Sequence, residues 1–134
     1  MSLTWTNKLC DAALALVYPQ ACAVCGRAVE ARADGIACAG CWAATRIFSE
    51  DETVCWKCGV PAPASVKEER RREVRCRRCE DEQFTAARAC GVYEGALRAS
   101  VLELKREPHV SQRLARLLLA TQGREPLRNA TRIV

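Results

Sequence analysis

Apolar positions mark out helical and extended stretches on either side of a long aperiodic middle. From Ser2 to Tyr18, Trp5, Leu9, Ala12, Ala13 and Leu16 recur at the three-to-four residue step of one helical face. This predicts an amphipathic helix ended by Pro19, its apolar face packing on the first cysteine unit or on the C-terminal part. After Gln83 the pattern becomes strand-like and then helical. Ala89-Cys90-Gly91-Val92-Tyr93 is a short apolar run readable as a strand, and Glu94-Gly95 turns the chain. Leu97, Val101 and Leu104 mark one face of a helix ending near Glu107-Pro108. Leu114, Leu117, Leu118 and Ala120 mark a second helix, capped by Ser111 and stopped by Gly123. Thr131 to Val134 has the pattern of a further strand's first residues.

The middle is organised by cysteines. Cys22/Cys25, Cys38/Cys41, Cys55/Cys58 and Cys76/Cys79 form four CxxC pairs. Two such steps joined by a loop bring four thiolates to one tetrahedral ion, because each step turns the backbone until both sulfurs face one point. The loops hold 12 residues from Cys25 to Cys38 and 17 from Cys58 to Cys76, the second within the usual four-cysteine zinc spacing and the first slightly short of it. Sequential pairing closes shorter loops than a crossed arrangement in which the first and third pairs share an ion. It is therefore favoured on closure entropy. Gly26 and Gly59 each follow a second cysteine, where a left-handed backbone lets amides point at sulfur. Eight ligands thus imply two zinc ions and a small zinc-stabilised β fold, a double zinc ribbon. Its spans are 20–82 in all, 20–48 for the first ribbon and 54–81 for the second, with 1–19 as the N-terminal helix and 83–134 as a separate α/β segment. Asp34-Gly35 supplies a hairpin turn in the first ribbon.

Composition sharpens this picture. With 49% apolar but only 5% aromatic residues in 134, metal has to replace part of a packed core. The formal charge of +5 falls to +1 once two dications sit on eight thiolates, so net charge gives no argument for nucleic acid. The one basic patch is Lys67 to Arg78, with seven cations (Lys67, Arg70, Arg71, Arg72, Arg75, Arg77, Arg78) against Glu68, Glu69 and Glu73. It is followed directly by Glu80, Asp81 and Glu82, and a solvated loop is the simpler account. Trp42 and Trp56, next to ligands, are expected to shield the metal; Cys10 and Cys90 are expected in apolar packing, and His109 in a turn. No stretch approaches the ~20 apolar residues that span a bilayer. The first 23 residues mimic a secretory leader, but Asp11 interrupts the apolar run and cleavage after Ala23 would discard Cys22. A soluble, cytoplasmic protein without membrane insertion is expected. In that reducing compartment thiolate–zinc bonding is favoured over disulfides.

The N-terminal helix, the two consecutive ribbons and the segment Ala89 to Glu107, reading ACGVYEGALRASVLELKRE, resemble the ComF family of competence-associated proteins. The resemblance implies a double zinc ribbon joined to a type I phosphoribosyltransferase-like α/β domain, with a role in competence and DNA uptake. It also implies that Tyr93, Arg98 and Lys105 line the entrance of a nucleotide pocket. A phosphoribosyl-pyrophosphate loop would need adjacent carboxylates followed by threonine, serine and glycine. Neither Glu50-Asp51-Glu52 nor Glu80-Asp81-Glu82 has that context. We therefore expect the N-terminal portion of such a protein, non-catalytic by itself, with phosphoribosyl pyrophosphate bound only in a complete form. Single-stranded DNA or competence-machinery proteins are the expected partners. The alternative is a stand-alone double ribbon that binds nucleic acid or protein, with the C-terminal helices as a docking element.

Overall fold

A computed structural model describes Ala13 and residues 18–131. The helix expected over Ser2–Tyr18, Cys10 within it, and the strand start at Thr131–Val134 fall almost entirely outside the described residues. The chain divides into two compact units: one comprises the chain up to Arg46 with Gly91–Leu117, the other Ile47–Cys90 with the residues from Leu118 on.

In the first unit the chain enters at an isolated antiparallel bridge, Ala21 with Ala28. Between them Cys22 N–H donates to Arg27 O at 2.6 Å and Gly26 N–H to Cys22 O at 2.8 Å, closing a knuckle around the first CxxC pair. Gly26 has φ 75°, in the left-handed region that favours glycine. A 3-10 turn, Arg32–Asp34, is closed by Gly35 at φ 78°. Asp34-Gly35 therefore ends a helical turn and does not link two strands. Helix α1 (Ala39–Ala44) begins directly after Cys38 and carries Cys41; Glu30 Oε2 accepts the Ala39 N–H at 3.2 Å near its start. Helix α2 (Gly95–Arg106) packs on α1 and buries Ala96, Leu97 and Ser100.

Helix α3 (Gln112–Gln122) starts where Ser111 Oγ accepts the Leu114 N–H at 3.3 Å, the cap read from the sequence, and Gly123 lies just past its end. Leu114 is among the most deeply buried side chains, an apolar burial of about 1.5–3 kcal/mol. The buried stripe differs from the expected one. Leu114 and Thr121 are buried and Leu117 half-buried, whereas Leu118 and Ala120 are exposed. Positions seven apart fall on one line of a helix, and Leu118 and Ala120 lie beside that line. The first unit's core is Cys22, Val29, Ala37, Cys38, Trp42, Ala96, Leu97 and Leu114.

The second unit repeats the knuckle bond for bond. Val54 bridges Pro61, Cys55 N–H donates to Val60 O and Gly59 N–H to Cys55 O, both at 2.8 Å, and Gly59 has φ 74°. The next contact is repeated as well: Ala23 N–H reaches Ile36 O at 2.9 Å in one unit, Trp56 N–H reaches Val74 O at 2.8 Å in the other. The longer second loop takes up its extra residues as a 3-10 segment, Glu68–Glu73, before a shorter one, Arg77–Cys79, carries the last ligand. The buried apolar residues here are Phe48, Cys55, Cys79 and Cys90. A core made chiefly of cysteine cannot hold by packing alone.

The β character expected from the sequence is largely missing. Among the described residues there is no regular strand, only isolated bridges. CxxC knuckles turn too tightly to run a ladder, and thiolate bonding to a shared ion takes over the cross-linking that ladder bonds provide in longer ribbons. Ala89–Tyr93 likewise forms no strand of a sheet. Cys90 O accepts from Phe48 N–H at 3.0 Å and Val92 N–H donates to Arg46 O at 2.9 Å, but so short a segment lacks the neighbours a sheet needs. No phosphoribosyltransferase-like domain is present in the described residues.

Candidate metal centres

The backbone delivers two four-sulfur clusters. Cys22, Cys25, Cys38 and Cys41 form one and Cys55, Cys58, Cys76 and Cys79 the other, with the four Sγ atoms of each within 4.8 Å of one another. In the first, Cys22–Cys41 is 3.8 Å and Cys25–Cys38 3.6 Å; in the second, Cys55–Cys79 is 3.9 Å, Cys58–Cys76 3.6 Å and Cys76–Cys79 3.5 Å. A zinc–sulfur bond of about 2.3 Å in a regular tetrahedron sets sulfurs about 3.8 Å apart. A disulfide needs about 2.05 Å. The spacing is that of a shared ion, and the sulfurs group sequentially. Two four-cysteine groups suit two zinc ions.

Each cluster has a buried anchor, Cys22 or Cys55. Cys22 Sγ accepts the N–H of Val24 at 3.4 Å and of Cys38 at 3.3 Å; Cys55 Sγ accepts the N–H of Cys76 at 3.3 Å. Burial pushes the Cys22 thiol up, yet amides from Cys38, Val24 and Cys25 outweigh it and bring the group down to about 6. Cys55 behaves alike: burial raises it, and the amides of Cys58, Cys76 and Lys57 bring it down to about 6. Cys41 is pushed up to about 12, first by the Cys25 sulfur, then by burial and by Cys38 and Cys22. Cys79 reaches about 12 through burial and then Cys58, Cys76 and Cys55. Four thiolates side by side repel, so in each cluster the last sulfur keeps its proton unless a dication removes the repulsion.

Cations complete the electrostatics, since four thiolates on one zinc ion leave a double negative charge. Arg27 hydrogen-bonds the Cys25 sulfur and holds that thiol below its ordinary range, while the same thiolate raises Arg27. In the second unit Arg88 feels the Cys55 and Cys58 thiolates, although burial lowers it overall. Its Nη1 donates to Trp56 O at 2.9 Å, and its guanidinium lies 5.1 Å from the Trp56 ring centroid. The sequence reading missed both arginines. The signal available was the double negative charge itself, which calls for a cation beside each knuckle.

Trp42 is buried and Trp56 half-buried, each with contacts that the sequence did not contain. Trp42 Nε1 donates to Asp34 O at 2.9 Å, and Arg113 from α3 lies 5.0 Å over the Trp42 ring while bonding Asp34 Oδ1 at 2.9 Å. Thr45 was also missed. Its hydroxyl donates to Cys41 O at 2.8 Å and accepts the Ala96 N–H at 2.9 Å, tying a metal-ligand carbonyl to the start of α2.

Tyr93, Arg98 and Lys105 are exposed. Tyr93 precedes α2, Arg98 lies in its first turn and Lys105 in its last. None of the three lines the first unit's cavity of about 330 Å³ or the second unit's cleft of about 820 Å³. His109, exposed in the α2–α3 turn, lines the smaller cavity with Glu103 and Glu107. Much of the basic run is tied back to the chain. Arg70 pairs with Glu73 at 3.2 Å, Arg71 donates to Asp51 O at 2.9 Å, Arg72 pairs with Glu125 at 2.9 Å, and Arg75 donates to Arg72 O at 2.7 Å. No helix among the described residues is long and apolar enough to cross a membrane.

No curated protein and no solved structure matches this chain. Among known protein families, the double zinc ribbon domain matches residues 13–80. That span is half of the chain and holds all eight clustered cysteines. The repeated knuckles, the two tetrahedral sulfur clusters and this match together identify the chain as a member of the double zinc ribbon domain family.

Proposed function

We propose that the two zinc centres are structural, and that they form the metal-stabilised attachment module of a ComF-like protein in which the ribbons are joined to a phosphoribosyltransferase-like domain acting in competence and DNA uptake. The carrying observation is the closed four-sulfur set. A catalytic zinc keeps one position for water or substrate, and four converging thiolates leave none. The chain therefore acts by holding shape and presenting surface, not by chemistry at the metal. The ComF-like part of the reading rests on sequence order: two ribbons, then Tyr93-Glu94-Gly95-Ala96-Leu97-Arg98 entering a helix that ends at Lys105-Arg106. Tyr93, Arg98 and Lys105 would then line the entrance of that domain's nucleotide pocket. The stand-alone reading, with single-stranded DNA gripped by Lys67–Arg78, has less support because Arg70, Arg71, Arg72 and Arg75 are engaged within the chain.

Titration of phosphoribosyl pyrophosphate into a protein carrying these ribbons and the transferase-like domain tests the reading. Saturable binding that Arg98→Ala with Lys105→Ala weakens is expected. No binding by the complete protein would remove the transferase-like half. In the native source, loss of the gene should lower uptake of transforming DNA, and a variant with Cys22→Ser and Cys55→Ser should fail to restore it. Unchanged uptake would remove the competence role.

A further inference from the structure

The second unit holds a cleft of about 820 Å³ whose lining includes Arg71, Arg88 and Arg124. Each is fixed to backbone carbonyls, Arg71 and Arg124 through one guanidinium nitrogen and Arg88 through two, its Nε donating to Glu125 O at 3.0 Å. Arg71 Nη2 donates to Asp51 O at 2.9 Å, Arg88 Nη1 to Trp56 O at 2.9 Å, and Arg124 Nη2 to Phe48 O at 2.8 Å. Carbonyls orient these groups without cancelling their charge. Each also keeps one fully buried N–H without a partner: Arg71 Nε, Arg88 Nη2 and Arg124 Nε. Such donors are costly to bury unmet. Among the described residues no carboxylate lies within ion-pair distance of these three guanidiniums, although Arg72 beside them takes Glu125 at 2.9 Å.

We propose that this cleft binds a compact phosphate, free or as a small monoester, whose oxygens accept the three unmet N–H groups. Planar guanidinium donors match the oxygens of a tetrahedral anion, and donors already held in place lose little freedom on binding. The acidic residues of the lining set the size of the ligand. Glu50, Asp51, Glu68 and Glu69 are exposed in the same lining and would repel a polyanion more strongly than a single phosphate. The proposal does not rest on the ComF-like reading, and it needs neither Tyr93 nor Lys105.

The test is isothermal titration of the zinc-loaded full chain with inorganic phosphate and, in a second arm, methyl phosphate. A parallel arm uses an oligothymidylate at the same ionic strength. Saturable one-site binding of either phosphate is expected. Equal affinities assign the anion itself as ligand, and a tighter monoester extends the site to its organic group. Arg71→Gln with Arg124→Gln should weaken binding about tenfold or more while zinc content stays at two per chain. If that variant fails to fold, the unaltered chain still decides. Phosphate should then protect Arg71, Arg88 and Arg124, but not the exposed Arg78, from phenylglyoxal. Absence of binding and protection, unchanged binding in the folded variant, or tighter binding of the oligothymidylate than of either phosphate would overturn the proposal.

Discussion

Gly26 and Gly59 hold equivalent places in the two knuckles, with φ of 75° and 74°, yet their surroundings differ. A Cβ on Gly26 would meet nothing within 4 Å, whereas one on Gly59 would sit 2.8 Å from Ala87 O and 3.1 Å from Arg88 Cα. Gly26→Ala should cost about 1–2 kcal/mol, the left-handed backbone penalty alone. Gly59→Ala should cost more, because backbone atoms cannot swing aside. A zinc chelator titration should show the second site of Gly59→Ala releasing metal well before the first site of Gly26→Ala, and equal losses would contradict this local account. The sequence made the glycines visible by position. It could not separate them, because the residues that crowd Gly59 come from a segment almost thirty positions later. Protonation belongs to the same scale. Cys41 and Cys79, pushed up to about 12, carry protons at neutral pH, so zinc must displace them. Affinity should rise with pH through neutrality, and should fall further once acid protonates Cys22 and Cys55 below about 6. An indicator dye should register proton release when zinc is added to the stripped chain, and a pH-independent affinity would contradict the assignment.

At the scale of elements, helices α2 and α3 were legible because three-to-four residue spacing, Ser111 and Gly123 are all local signals. What fastens them was not legible. Thr45 and Ala96 stand far apart in the chain, and so do Asp34 and Arg113; only the fold brings them together. Thr45→Val removes both partners of a buried hydroxyl and leaves the Ala96 N–H unmet, a cost of about 1–3 kcal/mol in urea unfolding followed by tryptophan fluorescence. Thr45→Ser should recover most of it. A double-mutant cycle on Asp34→Asn and Arg113→Gln should give a coupling of only about 0.5–1 kcal/mol, because Arg113 is partly open to solvent. The expected strands failed for a related reason. The apolar run Ala89–Tyr93 reports a segment suited to a strand, but strand formation depends on partners supplied elsewhere, and the chain offers single hydrogen bonds there, not a ladder. Leu118 and Ala120 show the same limit within a helix: periodicity names a broad face, and packing selects the line within it that is buried.

Over the whole molecule, the eight cysteines were the strongest signal and the structure groups them as their spacing suggested. Ligand spacing is a chain-local property, while the cations that balance the clusters and the cleft lined by Arg71, Arg88 and Arg124 depend on folding. With an apolar interior in the second unit made mainly of cysteine, folding and metal binding are one event there, and a chelator should unfold that unit cooperatively with zinc loss. The central claim is two zinc ions held by sequentially paired cysteines. Native mass spectrometry of Cys25→Ser with Cys41→Ser tests it most directly, because both positions belong to one cluster if pairing is sequential and to two if it is crossed. The unaltered chain should carry two zinc ions and the variant one. A variant that retains none, an unaltered chain that binds iron in place of zinc, or one whose cysteines are disulfide-linked without metal would contradict the account.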